Sequence, residues 1–319
     1  MVPLPSAAPM RRPLKVGLVL PTAEGMMGGR TPRWTDILAM ARLAEAVRFD
    51  SVWVADHLLV RFADDEPHGL LECWSLLAGL ATATERVALG PLVGCLGWRN
   101  PALLAKMADT VDEISGGRLI LGLGAGWHRP EFDAFGYAWD HRASRFEEAI
   151  QIVHALLRQG HVDFDGTYYA ARECELRPRG PRRHGPPIMI GTFGPRMLQV
   201  TARYADAWNA EWTNQPEKVL ALQGPVDAAC AAVGRDPATL EHTAGIMVDL
   251  PGRHDYPAWR WIRDMRAAEA PASGSSEELA NLLRGFADVG ITHVQVWLAP
   301  DTLAGVEAFA PVLEVLEQS

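Results

Sequence analysis

The chain has 319 residues, 48% hydrophobic and 22% charged, an ordinary globular composition with ample material for a sizeable core. Its net charge is −9 with ten histidines counted neutral, and no Lys/Arg stripe runs along it. Nucleic acid and anionic membrane surfaces are therefore poor candidate partners. The cysteines, Cys73, Cys95, Cys174 and Cys230, form no CxxC pair and read as small buried hydrophobes of a reducing, cytoplasmic compartment.

In chain order, residues 1–13 read as a loose tail, with two arginines but no apolar stretch directly after them. The run Leu14–Leu20 is short and stops at Pro21, which suits a buried strand better than a signal peptide or membrane span. Predicted strands then recur at Lys15–Leu20, Ser51–Asp56, Val87–Val93 and Arg118–Gly124. Four more follow at Pro187–Gly191, Asp206–Ala210, His242–Val248 and His293–Leu298. Most are continuous apolar runs rather than alternating ones, as in parallel strands covered on both faces.

Helical patterns separate the strands. Asn100 can cap a helix with Pro101 in its first turn, and Gly116–Gly117 end it. Ser275-Ser276-Glu277-Glu278 reads as a capping box, with Gly290 as the stop, and a last helix spans Thr302–Leu316 with a kink expected at Pro311. Strand and helix alternating eight times predict one α/β domain over 1–319, a (β/α)₈ TIM barrel. An open doubly wound sheet is the competitor. It would want a helix directly at a glycine fingerprint, whereas Gly122-x-Gly124-x-Gly126 runs into Trp127-His128-Arg129-Pro130. Two segments exceed a minimal barrel and read as insertions: 160–185, with the hairpin signal Asp165-Gly166, and 251–271, with Tyr256, Trp259 and Trp261 among charges.

In a barrel the working residues lie at the C-terminal ends of strands. Strand two ends in Asp56-His57, and His57 is the best acid/base candidate because its imidazole titrates near neutral pH. Asp56 could anchor a loop or tune it. His128 is a weaker candidate. The turn Gly191-Thr192-Phe193-Gly194-Pro195-Arg196 opens a helix whose free amides and dipole suit a phosphate, with Arg196 adding charge. No HxH, HExxH or spaced Cys/His set supports a metal, and no GxSxG nucleophile elbow is present.

At these residues the chain resembles the luciferase-like flavin oxidoreductases, especially those using the deazaflavin coenzyme F420. The matching stretches are FDSVWVADHLL (Phe49–Leu59), RNPALLAKMADTVDEISGGRLILGLGAGW (Arg99–Trp127), EFDAFG (Glu131–Gly136), SRFEEAIQI (Ser144–Ile152) and ARYADAWN (Ala202–Asn209). The resemblance implies a barrel with the ring at its mouth, His57 near the reactive face and Asp56 beside it. It implies a non-proline cis peptide behind the ring, which falls at Leu92–Val93. It also implies a phosphate loop at Gly191–Pro195, and backbone approach at Gly124 and Gly126 with Trp127 alongside.

Trp127 stands where some deazaflavin sugar-phosphate dehydrogenases of the family carry Glu, which argues against sugar-phosphate oxidation. A single His after strand two, where some flavin monooxygenase relatives carry a pair, favours F420 over FMN. The expected activity is hydride transfer between F420 and a small organic substrate, in a homodimer. The alternatives are an FMN-dependent monooxygenase using oxygen, with a separate reductase supplying reduced cofactor, a non-catalytic flavin-binding barrel subunit, and a cofactor-free hydrolase or lyase.

Overall fold

The computed structural model describes residues 12–62, 66–250 and 270–318. Its elements begin with β1 (Lys15–Val19), α1 (Trp34–Ala46) and β2 (Ser51–Val54), then a short antiparallel pair, β3 (Leu59–Val60) and β4 (His68–Gly69). After α2 (Cys73–Ala83) the third predicted strand appears in two halves, β5 (Ala88–Pro91) and β6 (Gly94–Cys95). Next come α3 (Pro101–Ser115), β7 (Leu121–Gly124), α4 (Arg129–Phe135) and α5 (Arg142–Gln159). The hairpin β8 (His161–Asp165) and β9 (Ala170–Glu175) precedes β10 (Ile188–Gly191) and α6 (Pro195–Tyr204). The chain closes with β11 (Ala207–Ala210), α7 (Pro216–Ala232), β12 (Glu241–Asp249), α8 (Ser276–Asp288), β13 (Ile291–Ala299) and α9 (Leu303–Glu317).

All eight predicted strands form, and they pair in parallel in the order β5-β2-β1-β13-β12-β11-β10-β7-β6. β5 pairs with β2, while β6 pairs with β7. The third strand therefore changes neighbours at its break, where the Leu92–Val93 peptide is cis. A parallel bridge between Leu89 and Leu119 joins the two ends of the order, so the sheet closes into a (β/α)₈ barrel.

Apolar faces of the helices and the outward residues of the strands make one continuous core between barrel wall and helical layer. The caps expected from sequence are in place. Asn100 accepts from Ala102 and Leu103 N–H groups, and Ser275 with Glu278 forms a capping box. Pro311 lies inside α9 without ending it.

The lower half of the barrel is filled. Trp53 is fully buried there, and a Cβ on Gly17 or Gly90 would stand 2.5 Å or 2.8 Å from its indole. Glycine is needed at both positions because the indole and a closer neighbour, Ser51 Oγ at Gly17 and the Ile120 carbonyl at Gly90, leave no room for a side chain. Filling below leaves space only above, at the C-terminal ends of the strands.

The β8–β9 hairpin docks on the outside of α5, where Glu148 accepts hydrogen bonds from the N–H groups of Thr167, Tyr168 and Tyr169. It is a packing element and does not reach the barrel mouth. The second expected insertion, 251–271, lies almost wholly outside the described residues. No helix among the described residues is long and apolar enough to cross a membrane.

Candidate active site

A cavity of about 350 Å³ opens at the C-terminal end of the barrel. Its wall combines the segment just past β2 (Asp56, His57), the β5–β6 break with the end of β6 (Leu92, Val93, Cys95) and the end of β7 with the residues after it (Gly124, Ala125, Gly126, Trp127). Opposite them lie Gly191 at the end of β10 with Thr192, Phe193 and Gly194 after it, Asn209 of β11 with Glu211 and Trp212 just past it, and Trp297 of β13. Thr22, Met26 and Leu70 close one side. The sequence-predicted site residues thus converge on one space, with Arg196 and the weaker candidate His128 as the exceptions.

His57 sits just past β2, where the strand turns out of the barrel. Its Nδ1 lies 2.8 Å from Oε2 of Glu131, a fully buried carboxylate in the first turn of α4. The other oxygen, Oε1, accepts the N–H groups of Leu58 (2.6 Å) and Leu59 (3.0 Å). Burial alone would raise the pKa of Glu131. The hydrogen bond and charge of His57 and the two backbone donors outweigh it and hold the carboxyl below its ordinary value. An ionised acceptor on Nδ1 makes that nitrogen the protonated one, so Nε2 is left for exchange with a bound molecule. Glu131 escaped the reading of the residues for chemistry because it is 74 positions from His57. Its only signal was its place at the head of the EFDAFG stretch.

Asp56 needs a correction of role. It lines the cavity, but Arg99 grips both of its oxygens at 2.7 and 2.9 Å, and Oδ2 also accepts the Cys95 N–H at 2.8 Å. A buried carboxylate engaged in this way is held by a bidentate charge-assisted pair and a backbone amide. It anchors the β5–β6 strand to β2. Arg99 also bonds Glu72, the N-cap of α2. Burial would depress the guanidinium pKa, and the Asp56 and Glu72 carboxylates instead raise it.

Arg196 is the second correction. Its guanidinium meets Glu147 Oε2 at 2.7 Å on the exposed side of α5 and α6, and it does not line the cavity. A neighbouring carboxylate has claimed its charge. The Gly191–Gly194 turn keeps the expected geometry without it. Gly194, the N-cap of α6, has no side chain to cap its amides, Pro195 occupies its first position, and Trp208 Nε1 ties down the loop through the Thr192 carbonyl at 2.8 Å.

His128 does not line the cavity. Its Nε2 accepts the Arg61 N–H at 2.9 Å, and burial lowers its pKa, with Glu131 opposing and His57 adding to the shift. It holds the loop before β4 as a neutral ring. Cys95 faces the cavity with its thiol pushed up by burial, which leaves it protonated and unsuited to nucleophilic work.

The remaining space suits a planar ring. A Cβ on Gly124 would stand 2.8 Å from Val93 Cγ2, and one on Gly191 would stand 3.4 Å from Val93 Cγ1. Both glycines keep the surface over Val93 open. Trp127 is edge-on to His57 with centroids 5.5 Å apart, and Trp212 stacks on Trp297 at 5.0 Å. Glu211 Oε1 accepts the Trp297 Nε1–H at 2.8 Å.

A closed parallel barrel with a glycine-lined cavity at its C-terminal mouth, a helix N-terminus on one side and a carboxylate-held histidine on the other defines a cofactor-binding class of barrel. The chain belongs to the luciferase-like monooxygenase family, whose profile matches residues 14–281. It is 31% identical over 250 residues to the 5,10-methylenetetrahydromethanopterin reductase of Archaeoglobus fulgidus, covering 76% of this chain and 71% of that protein. It is 30% identical over 246 residues to the phthiodiolone/phenolphthiodiolone dimycocerosates ketoreductase of Mycobacterium tuberculosis, covering 72% of this chain but 64% of that one. The match thus spans less than two thirds of the ketoreductase. Among solved structures, an F420-dependent secondary alcohol dehydrogenase in complex with an F420-acetone adduct shares the fold. The TM-score is 0.79 at 20% identity, covering 95% of this chain and 99% of that one.

Proposed function

We propose that this chain is an oxidoreductase that uses coenzyme F420 to exchange hydride with a small organic substrate. One observation carries the reading: the cavity brings a glycine-lined surface at Val93, the uncapped amides of α6 and His57 held by Glu131 to a single opening. When bound, the deazaflavin ring supplies hydride chemistry at its C5 carbon; the chain supplies orientation, dryness and a proton site.

Residues Gly191–Gly194 and the first turn of α6 would hold the phosphate. The ring would rest against Leu92 and Val93, with Gly124 and Gly126 letting backbone approach. Leu92 and Trp297, both buried, would with Trp212 give the ring an apolar surround. His57 gives or takes the proton that accompanies hydride transfer, at Nε2, while Glu131 keeps the opposite ring nitrogen protonated. Relatives named as reductases support hydride transfer ahead of oxygenation. F420 in preference to FMN rests on the single His after β2. We extend the proposal to a homodimer, as the family resemblance implies, which sedimentation of the purified chain checks, and to the cytoplasmic compartment that the cysteine pattern suggests.

Titrating the apoprotein with F420 and with FMN, followed by fluorescence quenching, tests the reading. Micromolar binding of F420 is expected; tight FMN binding with none of F420 would instead support an FMN monooxygenase. His57→Ala should retain cofactor binding and lose turnover about 100-fold or more. Unchanged turnover would remove His57 from the chemistry and favour a non-catalytic barrel subunit.

A further inference from the structure

The floor of the cavity carries a polar atom that neither the proton site nor the phosphate turn uses. Asn209, fully buried on β11, donates through Nδ2 to Thr243 Oγ1 and Gln295 Oε1, each at 2.9 Å. Thr243 gives its own hydroxyl hydrogen to the Trp208 carbonyl at 3.0 Å, so toward Asn209 it can only accept. With Nδ2 donating to both neighbours, Oδ1 is the atom left over on a residue that lines the cavity. Oδ1 is buried and has no hydrogen-bond partner among the described residues. An acceptor kept from water without a donor is unfavourable, and native sites that hold one point to a ligand or bound water.

Its position says which ligand. Asn209 is in register with Gly191 on β10. A Cβ on Gly191 would stand 3.4 Å from Val93 Cγ1 and 3.9 Å from Asn209 Oδ1. The orphan oxygen and the Val93 surface therefore border the same open space. We propose that Asn209 is a positioning residue for the ring. Its Oδ1 accepts the imide N–H of a pyrimidinedione ring lying against Val93, and so sets which end of the ring enters the barrel. This rests on the redox-ring reading above. Flavins and 8-hydroxy-5-deazaflavins both carry that N–H between two carbonyls, and neither oxidation nor reduction removes it. It therefore matches an acceptor-only atom throughout a turnover. The Thr243–Gln295 pair acts through Asn209, holding the amide in place from below.

The test is a binding measurement on the full chain, with four probes: FMN, 8-hydroxy-5-deazariboflavin 5′-phosphate, and the N3-methyl derivative of each. For whichever parent binds wild type, N3-methylation should weaken affinity about tenfold or more, the scale of one lost buried hydrogen bond. Asn209→Ala should bind parent and methyl derivative about equally. The wild-type comparison decides the matter alone if the variant does not fold. Equal affinity of parent and methyl derivative for wild type overturns the proposal, as does tenfold discrimination that survives in Asn209→Ala. Failure of both parents to bind wild type is a different result, which sinks the redox-ring reading and this one with it.

Discussion

A histidine at the end of a strand has no fixed tautomer until something claims one of its ring nitrogens. At His57 the claim is made by Glu131, itself pinned by the Leu58 and Leu59 amides, so the segment after β2 and the first turn of α4 hold each other through one carboxylate. Glutamine at 131 keeps the shape but offers one acceptor where three donors converge. Glu131→Gln should therefore cost about 1–3 kcal/mol near neutral pH. It should also reduce kcat more than it raises the cofactor's Kd. The pH dependence separates charge from shape. A carboxyl with its folded pKa below the ordinary 4.5 contributes stability that is present above that value and lost as pH falls through the lower folded value. Urea unfolding of both proteins at pH 7 and pH 4 checks this. The gap between them should narrow at pH 4, and a gap that stays constant would show that ionisation of Glu131 contributes nothing.

Helix α4 shows how an element can depend on one residue before it. Gly126 has φ +77°, and a Cβ there would lie 2.6 Å from Phe132 Cζ and 2.8 Å from Cys95 Sγ. Phe132 adjoins Glu131, so pushing the ring aside moves the carboxylate off His57. Gly136, at the other end of α4, has nearly the same backbone (φ +75°) but nothing within 4 Å of a Cβ. The pair isolates packing from backbone strain. Gly136→Ala should cost about 1–2 kcal/mol, the left-handed penalty alone, whereas Gly126→Ala adds roughly 1–3 kcal/mol of overpacking. Thermal or urea melts measure both, and equal losses would mean that Phe132 yields freely.

What was legible in the sequence follows the same division. Strands such as Lys15–Val19 and the caps at Asn100 and Ser275 are local patterns, readable from a few neighbouring residues. The contacts of Asp56 with Arg99 and of His57 with Glu131 span 43 and 74 positions, and no periodicity reports them. The change of partners inside the third strand was equally invisible to pattern, since Val87–Val93 reads as one apolar run. Only the family resemblance placed a break at Leu92–Val93. Arg196 misled because a cation beside a phosphate turn looks functional until Glu147, 49 positions away, is seen to hold it.

At the scale of the whole molecule, the barrel separates stability from chemistry along its axis. The cavity occupies the upper end, and the lower end holds a closed polar triad around Trp53. Trp53 Nε1 donates to Ser51 Oγ at 2.7 Å, and Ser51 Oγ lies 2.7 Å from His293 Nε2. Burial keeps the His293 imidazole neutral, and with Nε2 unprotonated it can accept the hydroxyl hydrogen of Ser51 while the serine oxygen accepts from the indole. Burial, with a smaller push from Lys15, takes the His293 pKa down to about 3. The unfolded chain binds that proton near pH 6.5 and the folded chain does not, so stability is fully present above 6.5 and falls as pH drops from there toward 3. The slope from this one group approaches about 1.4 kcal/mol per pH unit. His128, His154 and His242 are also lowered chiefly by burial and steepen the same trend. His293→Gln keeps an acceptor for Ser51 without a titrating ring. Between pH 7 and pH 5, wild type should lose about 2 kcal/mol more unfolding free energy than the variant. Parallel loss in the two proteins would mean that His293 is protonated in the folded barrel. Cofactor affinity at pH 7 should be the same in both, because neither His293 nor its partners Ser51 and Trp53 line the cavity.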